Sequence, residues 1–181
     1  MPYDNLNKVT ILGCGWLGTA LAKSLNLKGY QVLGTRQSEQ GVAELKAQGI
    51  NAYQLSLSAT SGKLESLEVF NCETLILSFP PKLKQGQKDY PDKIKNAVNA
   101  AEKSGVKRLI LVSTTGIYNG LSGKVAEDTG LDLSAEKVET LNQAEQAVLA
   151  LSRQKSFSFS NNSRKYFFSQ FKISYNDNRY I

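Results

Sequence analysis

The stretch Lys8-Val-Thr-Ile-Leu-Gly-Cys-Gly-Trp-Leu-Gly18 decides the fold. Lys8 to Leu12 is rich in apolar and β-branched side chains, runs into Gly13, and reads as a buried strand. Leu17, Ala20, Leu21 and Leu25 then recur at helical spacing, and Gly29 fits the stop of that helix. The turn between them is G-x-G-x-x-G. In such a turn Gly13 permits the tight bend, Gly15 lets a pyrophosphate approach the backbone, and Gly18 lets helix and strand pack closely. The helix that follows offers unpaired N–H groups and the positive end of its dipole to an anion. The pattern predicts nucleotide binding at Gly13, Cys14, Gly15, Trp16, Leu17 and Gly18. An ordinary strand-to-helix turn is the competing reading, and the rest of the chain has to decide between them. Within the loop, Cys14 sits where a helix N-terminus can lower a thiol pKa. With no basic partner near it in sequence, it reads as a small packed residue. Trp16 reads as packing or as a cover for the loop.

Moving outward, short apolar runs alternate with amphipathic stretches. Gln31–Thr35 is a second strand, Val42 to Leu45 marks a short helix, and Asn51–Leu55 is a weaker third strand. Lys63 to Val69 predicts a two-turn helix. Glu73–Phe79 is a buried strand closed by Pro80-Pro81. Tyr90, Ile94, Ala97, Val98 and Ala101 form a helical stripe, with Pro91 suited to a first helical position. Val106–Val112 is a fifth strand. Ser134 is placed to cap a last helix running to about Leu151, with Val138, Leu141, Val148 and Leu151 on its apolar face. Strands with continuous hydrophobicity, separated by helices, mean a parallel sheet covered on both faces. The expected fold class is α/β, a doubly wound parallel sheet.

Composition narrows the chemistry. The 181 residues contain no histidine, which removes a His general base, a Ser–His or Cys–His pair and His metal ligands. Two cysteines, Cys14 and Cys72, make neither a structural zinc site nor a disulfide scaffold, so no metal is expected and a reducing cytoplasm is the simplest setting. No apolar run approaches the ~20 residues of a membrane span, and Met1-Pro-Tyr-Asp4 does not resemble a signal peptide. The net charge of +6 is uneven: residues 1–154 hold 17 basic and 15 acidic side chains, residues 155–181 five and one. The body therefore carries no basic surplus calling for nucleic acid.

Arg36 bears on cofactor choice. About 20 residues past the first glycine, an acid serves a ribose 2′-OH, whereas an arginine suits a 2′-phosphate. Here the second strand runs into Thr35-Arg36, Thr35 can add a hydroxyl, and no Asp or Glu follows until Glu39. The expectation is NADP in preference to NAD. The competing reading of Arg36 is a solvated cation at a strand end. Lys82, Lys84 and Lys88, and the pair Glu127-Asp128, read first as solvated loop charges, the lysines secondarily as an attraction for an anionic substrate.

Two families come into view. Leu12-Gly-Cys-Gly15 is similar to the first loop of S-adenosylmethionine methyltransferases, but the acids those proteins carry before that loop and at the end of strand two are missing here. The glycine loop together with Ser113-Thr-Thr-Gly-Ile-Tyr-Asn-Gly120 resembles instead the NAD-dependent epimerase/dehydratase group, the extended short-chain dehydrogenase/reductases, and particularly its atypical members. The resemblance covers about residues 7–152. It implies a Rossmann-like domain whose catalytic Ser/Thr is Thr114, four residues before Tyr118. It also places Phe79 and Pro80 beside the cofactor, and implies an unidentified small-molecule substrate of the sugar-nucleotide kind. Two departures stand out. Counting back from Glu145, the positions of that group's Tyr-x-x-x-Lys fall on Lys137 and Leu141, and the glycine loop is one residue shorter than in most extended members. A non-catalytic, NADP-sensing module is therefore the alternative to an oxidoreductase.

The last 27 residues differ from the rest. Residues 155–181 contain no Gly, Ala, Val or Leu, but six Ser, five of the seven Phe, three Tyr and four Asn. Family members continue past the last helix into a sixth strand and a smaller substrate-binding lobe, and the tail resembles neither, although Ser156-Phe-Ser-Phe-Ser160 alternates with period two. The expected organisation is a partial nucleotide-binding domain at 1–154, incomplete and without the substrate-binding lobe, followed by a tail read out of frame. A basic-aromatic arm for nucleic acid or a membrane surface is the rival account of the tail.

Overall fold

The structure, a computed structural model, describes residues 7–58, 64–126 and 128–154. Five strands form one parallel sheet in the order β3-β2-β1-β4-β5, with β1 at Lys8–Leu12, β2 at Gln31–Arg36, β3 at Asn51–Gln54, β4 at Thr74–Leu77 and β5 at Arg108–Leu111. Four helices cover it: α1 (Trp16–Leu27), α2 (Glu39–Ala47), α3 (Tyr90–Lys103) and α4 (Glu136–Gln154). This is the doubly wound α/β architecture expected, and both faces of the sheet are clothed.

Side-chain alternation divides the core. Val9, Ile11 and Ile76 face the layer of α1 and α2 and pack with Ala22, Val32, Leu45 and Ile50. Leu12, Leu75, Leu77 and Leu109 face the layer of α3 and α4 and pack with Ile94, Ala97, Val98, Val138, Leu141 and Val148. Because both faces are covered, the central strands are buried at nearly every position rather than at alternate ones. The chain leaves β1 toward β2 and β3 on one side, then returns to lay β4 against the other side of β1. That reversal opens a crevice at the carboxyl ends of β1 and β4, where α/β sheets of this kind bind ligands.

Several expectations are adjusted locally. The two-turn helix expected at Lys63–Val69 is two 3-10 turns, Leu64–Ser66 and Glu68–Phe70. Leu64, Val69 and Phe70 are all buried, so docking three side chains from seven residues takes precedence over a continuous helical ladder. Ser134 donates its hydroxyl to Asp132 Oδ1 at 2.6 Å, and α4 begins at Glu136, with the Ala135 carbonyl accepting the N–H of Val138 and Glu139. Asp132 gains two hydrogen bonds from Ser134, which hold its carboxyl below the usual range. The tail at 155–181 and Glu127 lie outside the described residues.

Candidate functional site

The glycine loop is held from β2. The buried Thr35 accepts the Gly13 N–H on Oγ1 at 2.9 Å, and its carbonyl accepts the Cys14 N–H at 2.8 Å. Gly13 adopts φ +89°, and a Cβ there would stand 2.6 Å from Phe79 Cβ, so the loop passes β4 at a separation only glycine allows. A Cβ on Gly18 would lie 2.9 Å from the Gly13 carbonyl, which is the close strand–helix packing anticipated for the third glycine. At Gly15 a Cβ would meet nothing within 4 Å. The space over that residue is open, and Gly15 lines the crevice.

α1 starts at Trp16 with no acidic residue in its first turn. The N–H groups of Trp16, Leu17 and Gly18 have no acceptor within the helix. Trp16 is 75% exposed and stands outside the crevice lining. The Cys14 side chain turns the other way: Sγ points at the Ile11 carbonyl, 3.9 Å off, and presses on Gly34. Burial pushes that thiol up to about 11, against smaller opposing influences from Thr35 and Arg36. Cys14 thus offers the site its backbone and no reactive sulfur.

The crevice has a volume of about 350 Å³, within the range of small-molecule sites. Its walls come from four strand ends. Leu12 ends β1, and Gly13 and Gly15 follow it; Thr35 and Arg36 end β2, and Gln37 and Ser38 follow; Leu55 and Leu57 follow β3; Phe79, Pro80, Pro81 and Lys82 follow β4. Tyr90, Gln87 and Lys93 complete it from α3 and the segment before it. Arg36 Nε is buried and has no hydrogen-bond partner, and its stem lies against Gly41, where a Cβ would be 3.1 Å away. An unpartnered guanidinium nitrogen and an uncovered glycine loop, both at the crevice, fit a phosphorylated ligand better than a plain structural turn.

The far end is built by β5 and α4. Thr114 Oγ1 accepts the Gly116 N–H at 3.2 Å, opening the 3-10 turn Thr115–Tyr118. Thr114 is exposed, whereas Tyr118 packs half-buried on the core, and neither borders the crevice. Ser113 donates to Glu145 Oε1 at 2.5 Å. Lys137 reaches back over Gly116: a Cβ there would be 3.3 Å from Lys137 Nζ and 3.5 Å from Thr114 Oγ1. Leu141 is buried between α4 and the core. Tyr90 stacks edge-on against Phe79 with centroids 5.7 Å apart, and burial, with the Glu145 charge, pushes its phenol up.

Of the expected cofactor residues, Gly13, Gly15, Thr35, Arg36, Phe79 and Pro80 are brought together around the crevice, while Cys14, Trp16, Leu17 and Gly18 stand behind or beside it. Gln37, Ser38, Leu55, Leu57, Lys82, Gln87, Tyr90 and Lys93 were not anticipated there. Among the described residues there is no group of acids and cysteines able to hold a metal, and no helix is long and apolar enough to cross a membrane.

Known proteins share this fold. The chain is 32% identical over 129 residues to the protein YeeZ of Escherichia coli strain K12, a match covering 68% of this chain and 46% of YeeZ. It therefore spans under half the length of that relative. The fold matches WbmG of Bordetella bronchiseptica in complex with NAD at a TM-score of 0.65 and 20% identity, covering 83% of this chain and 51% of that one. It also matches a UDP-glucuronic acid 4-epimerase of Bacillus cereus, solved with a substrate analogue and NAD, at a TM-score of 0.65 and 16% identity, with 81% and 52% covered. A family model described as NAD(P)H-binding matches residues 13–155, starting at the first glycine of the loop. The chain therefore belongs to the NAD(P)H-binding family, with a nicotinamide dinucleotide as its cofactor.

Proposed function

We propose that residues 1–154 are the cofactor domain of an NADP-preferring oxidoreductase of the epimerase/dehydratase kind, working in the cytoplasm. The observation that carries the preference is the buried, unpartnered Arg36 Nε at the end of β2, beside Ser38 and with no acid lining the crevice. A 2′-phosphate supplies the acceptor oxygens that this guanidinium lacks. The N–H groups at the start of α1 take the pyrophosphate, with Gly15 leaving room for it. Leu55, Leu57, Pro80 and Pro81 line the same crevice and supply apolar surface on which a purine ring can pack. When bound, the nicotinamide supplies hydride transfer at a carbinol or carbonyl carbon. Thr114, whose oxygen already accepts the Gly116 N–H, keeps its hydroxyl proton to donate to a substrate oxygen, with Tyr118 behind it. The substrate class is a sugar nucleotide or a comparable carbinol, which the epimerase likeness supports.

Titrating NADPH and NADH calorimetrically tests the preference. A charge-assisted pair is worth ~1.5–3 kcal/mol, so NADPH is expected to bind about 10- to 100-fold more tightly. Arg36→Gln is expected to erase most of that difference. Equal affinities in the unsubstituted protein contradict the reading. A non-catalytic NADP-sensing role is the second reading, favoured by Lys137 and the buried Leu141 where a tyrosine–lysine proton-transfer pair would stand. NADPH oxidation with a panel of carbonyl compounds separates the two.

A further inference from the structure

Among the described residues, Lys82 is the one lysine of the crevice wall that forms no ion pair with a carboxylate. The other, Lys93, is paired with Asp89 at 2.9 Å and donates to Gln87 at 3.3 Å. Of its loop neighbours, Lys88 is drawn away to Glu136 on α4 at 2.6 Å. Lys82 has no carboxylate partner among the described residues. Instead its Nζ crosses from the end of β4 to the end of β2, donating to the Gln37 side-chain oxygen at 3.3 Å. Gln37 and Ser38 follow Arg36 directly, and all four residues line the same crevice. The Ser38 hydroxyl accepts the Gly41 N–H at 3.2 Å and retains its own proton to donate. Two uncompensated cations and a hydroxyl donor therefore surround one end of the crevice, contributed by loops 45 residues apart.

Lys82 is also held there by its backbone. It adopts φ +50° and ψ +29°, the left-handed region, directly after Pro80-Pro81 and before the short 3-10 turn Leu83–Gln85. A non-glycine residue in that region is uncommon. Here it sits at the bend between Pro80-Pro81 and the 3-10 turn, and the side chain reaches across to Gln37.

We infer that Lys82 is a second specificity-determining residue for the dinucleotide, closing on the 2′-phosphate opposite Arg36, so that the phosphate bridges the loops after β2 and β4. This rests on the NADP preference proposed above and goes past it. Preference then comes from two loops, and its lysine half lies in a segment that a strand-two fingerprint does not cover. An ammonium acts as a point charge without the planar geometry of a guanidinium, so Lys82→Arg is expected to preserve the effect and Lys82→Gln to remove it.

The test uses the full chain, with NADPH, NADH, 2′,5′-ADP and 5′-AMP as probes, and dissociation constants read calorimetrically at low and raised ionic strength. For Lys82→Gln the expected result is a loss of about tenfold for NADPH and 2′,5′-ADP, with NADH and 5′-AMP changed less than about twofold. The salt dependence of NADPH binding is expected to weaken in the same variant. An equal loss for phosphorylated and unphosphorylated probes, or no loss for either, overturns the Lys82 assignment. A preference that Arg36→Gln abolishes and Lys82→Gln leaves intact overturns it too, while sparing the NADP reading. Equal NADPH and NADH affinities in the unsubstituted chain overturn both. Unfolding midpoints confirm that each variant is folded.

Discussion

At the scale of single residues, Cys14 shows how a position in a binding loop can be wholly structural. Its backbone shapes the turn, while its sulfur fills the gap left by Gly34, where a Cβ would come within 2.7 Å of Sγ. Burial raises the thiol from 9.0 to about 11, so at neutral pH almost none is thiolate. The unfolded chain, with the lower pKa, ionises first as pH rises. The stabilisation held by this group is therefore complete below pH 9.0 and lost as pH climbs toward 11, by ~3 kcal/mol. Denaturant titrations across that range are expected to show a steeper decline than in Cys14→Ala, and alkylation of both buried cysteines is expected only on unfolding. Rapid labelling of the native protein contradicts this. The placement of Gly13, Gly15 and Arg36 at the crevice is legible in the sequence because it follows from spacing within one βαβ unit. Lys82 is less so: in the sequence it reads first as a solvated lysine and secondarily as an attraction for an anionic substrate, and the fold is what brings it to the crevice wall and across to Gln37.

At the scale of elements, legibility followed periodicity. β1, α1, β2 and α3 carry patterns long enough to identify themselves, and their bounds fall within a few residues of expectation. The segment around Leu64–Phe70 carried an apolar pattern too short to choose between a helix and two tight turns, and tertiary packing chose. α4 is legible through Val138, Leu141 and Val148, and Leu141, where the family resemblance would put a lysine, is buried in the core. Leu141→Ala is expected to cost ~2–5 kcal/mol in unfolding free energy while leaving the NADPH affinity of the folded protein unchanged within about twofold. Calorimetry alongside denaturation checks both halves. A large loss of affinity without loss of stability would move α4 from scaffold to binding site.

At the scale of the whole molecule, the order β3-β2-β1-β4-β5 converts four separate strand ends into one wall. Local spacing cannot reveal Leu55, Leu57, Lys82 or Tyr90 as neighbours, because the reversal at β1 is what gathers them. The charge pattern fits the same picture. With 17 basic and 15 acidic residues in 1–154, the body before the tail has little surplus charge. Among the described residues, Arg36 and Lys82 are cations at the crevice that form no ion pair with a carboxylate. The measurement that bears most directly on all of this is a titration of the isotopically labelled chain with NADPH, followed by backbone amide NMR. Shifts are expected to concentrate at Gly13, Gly15, Leu17, Gly18, Arg36, Ser38 and Phe79, around the carboxyl ends of β1, β2 and β4. Absence of shifts, or their concentration away from those strand ends, would contradict a dinucleotide site in this crevice.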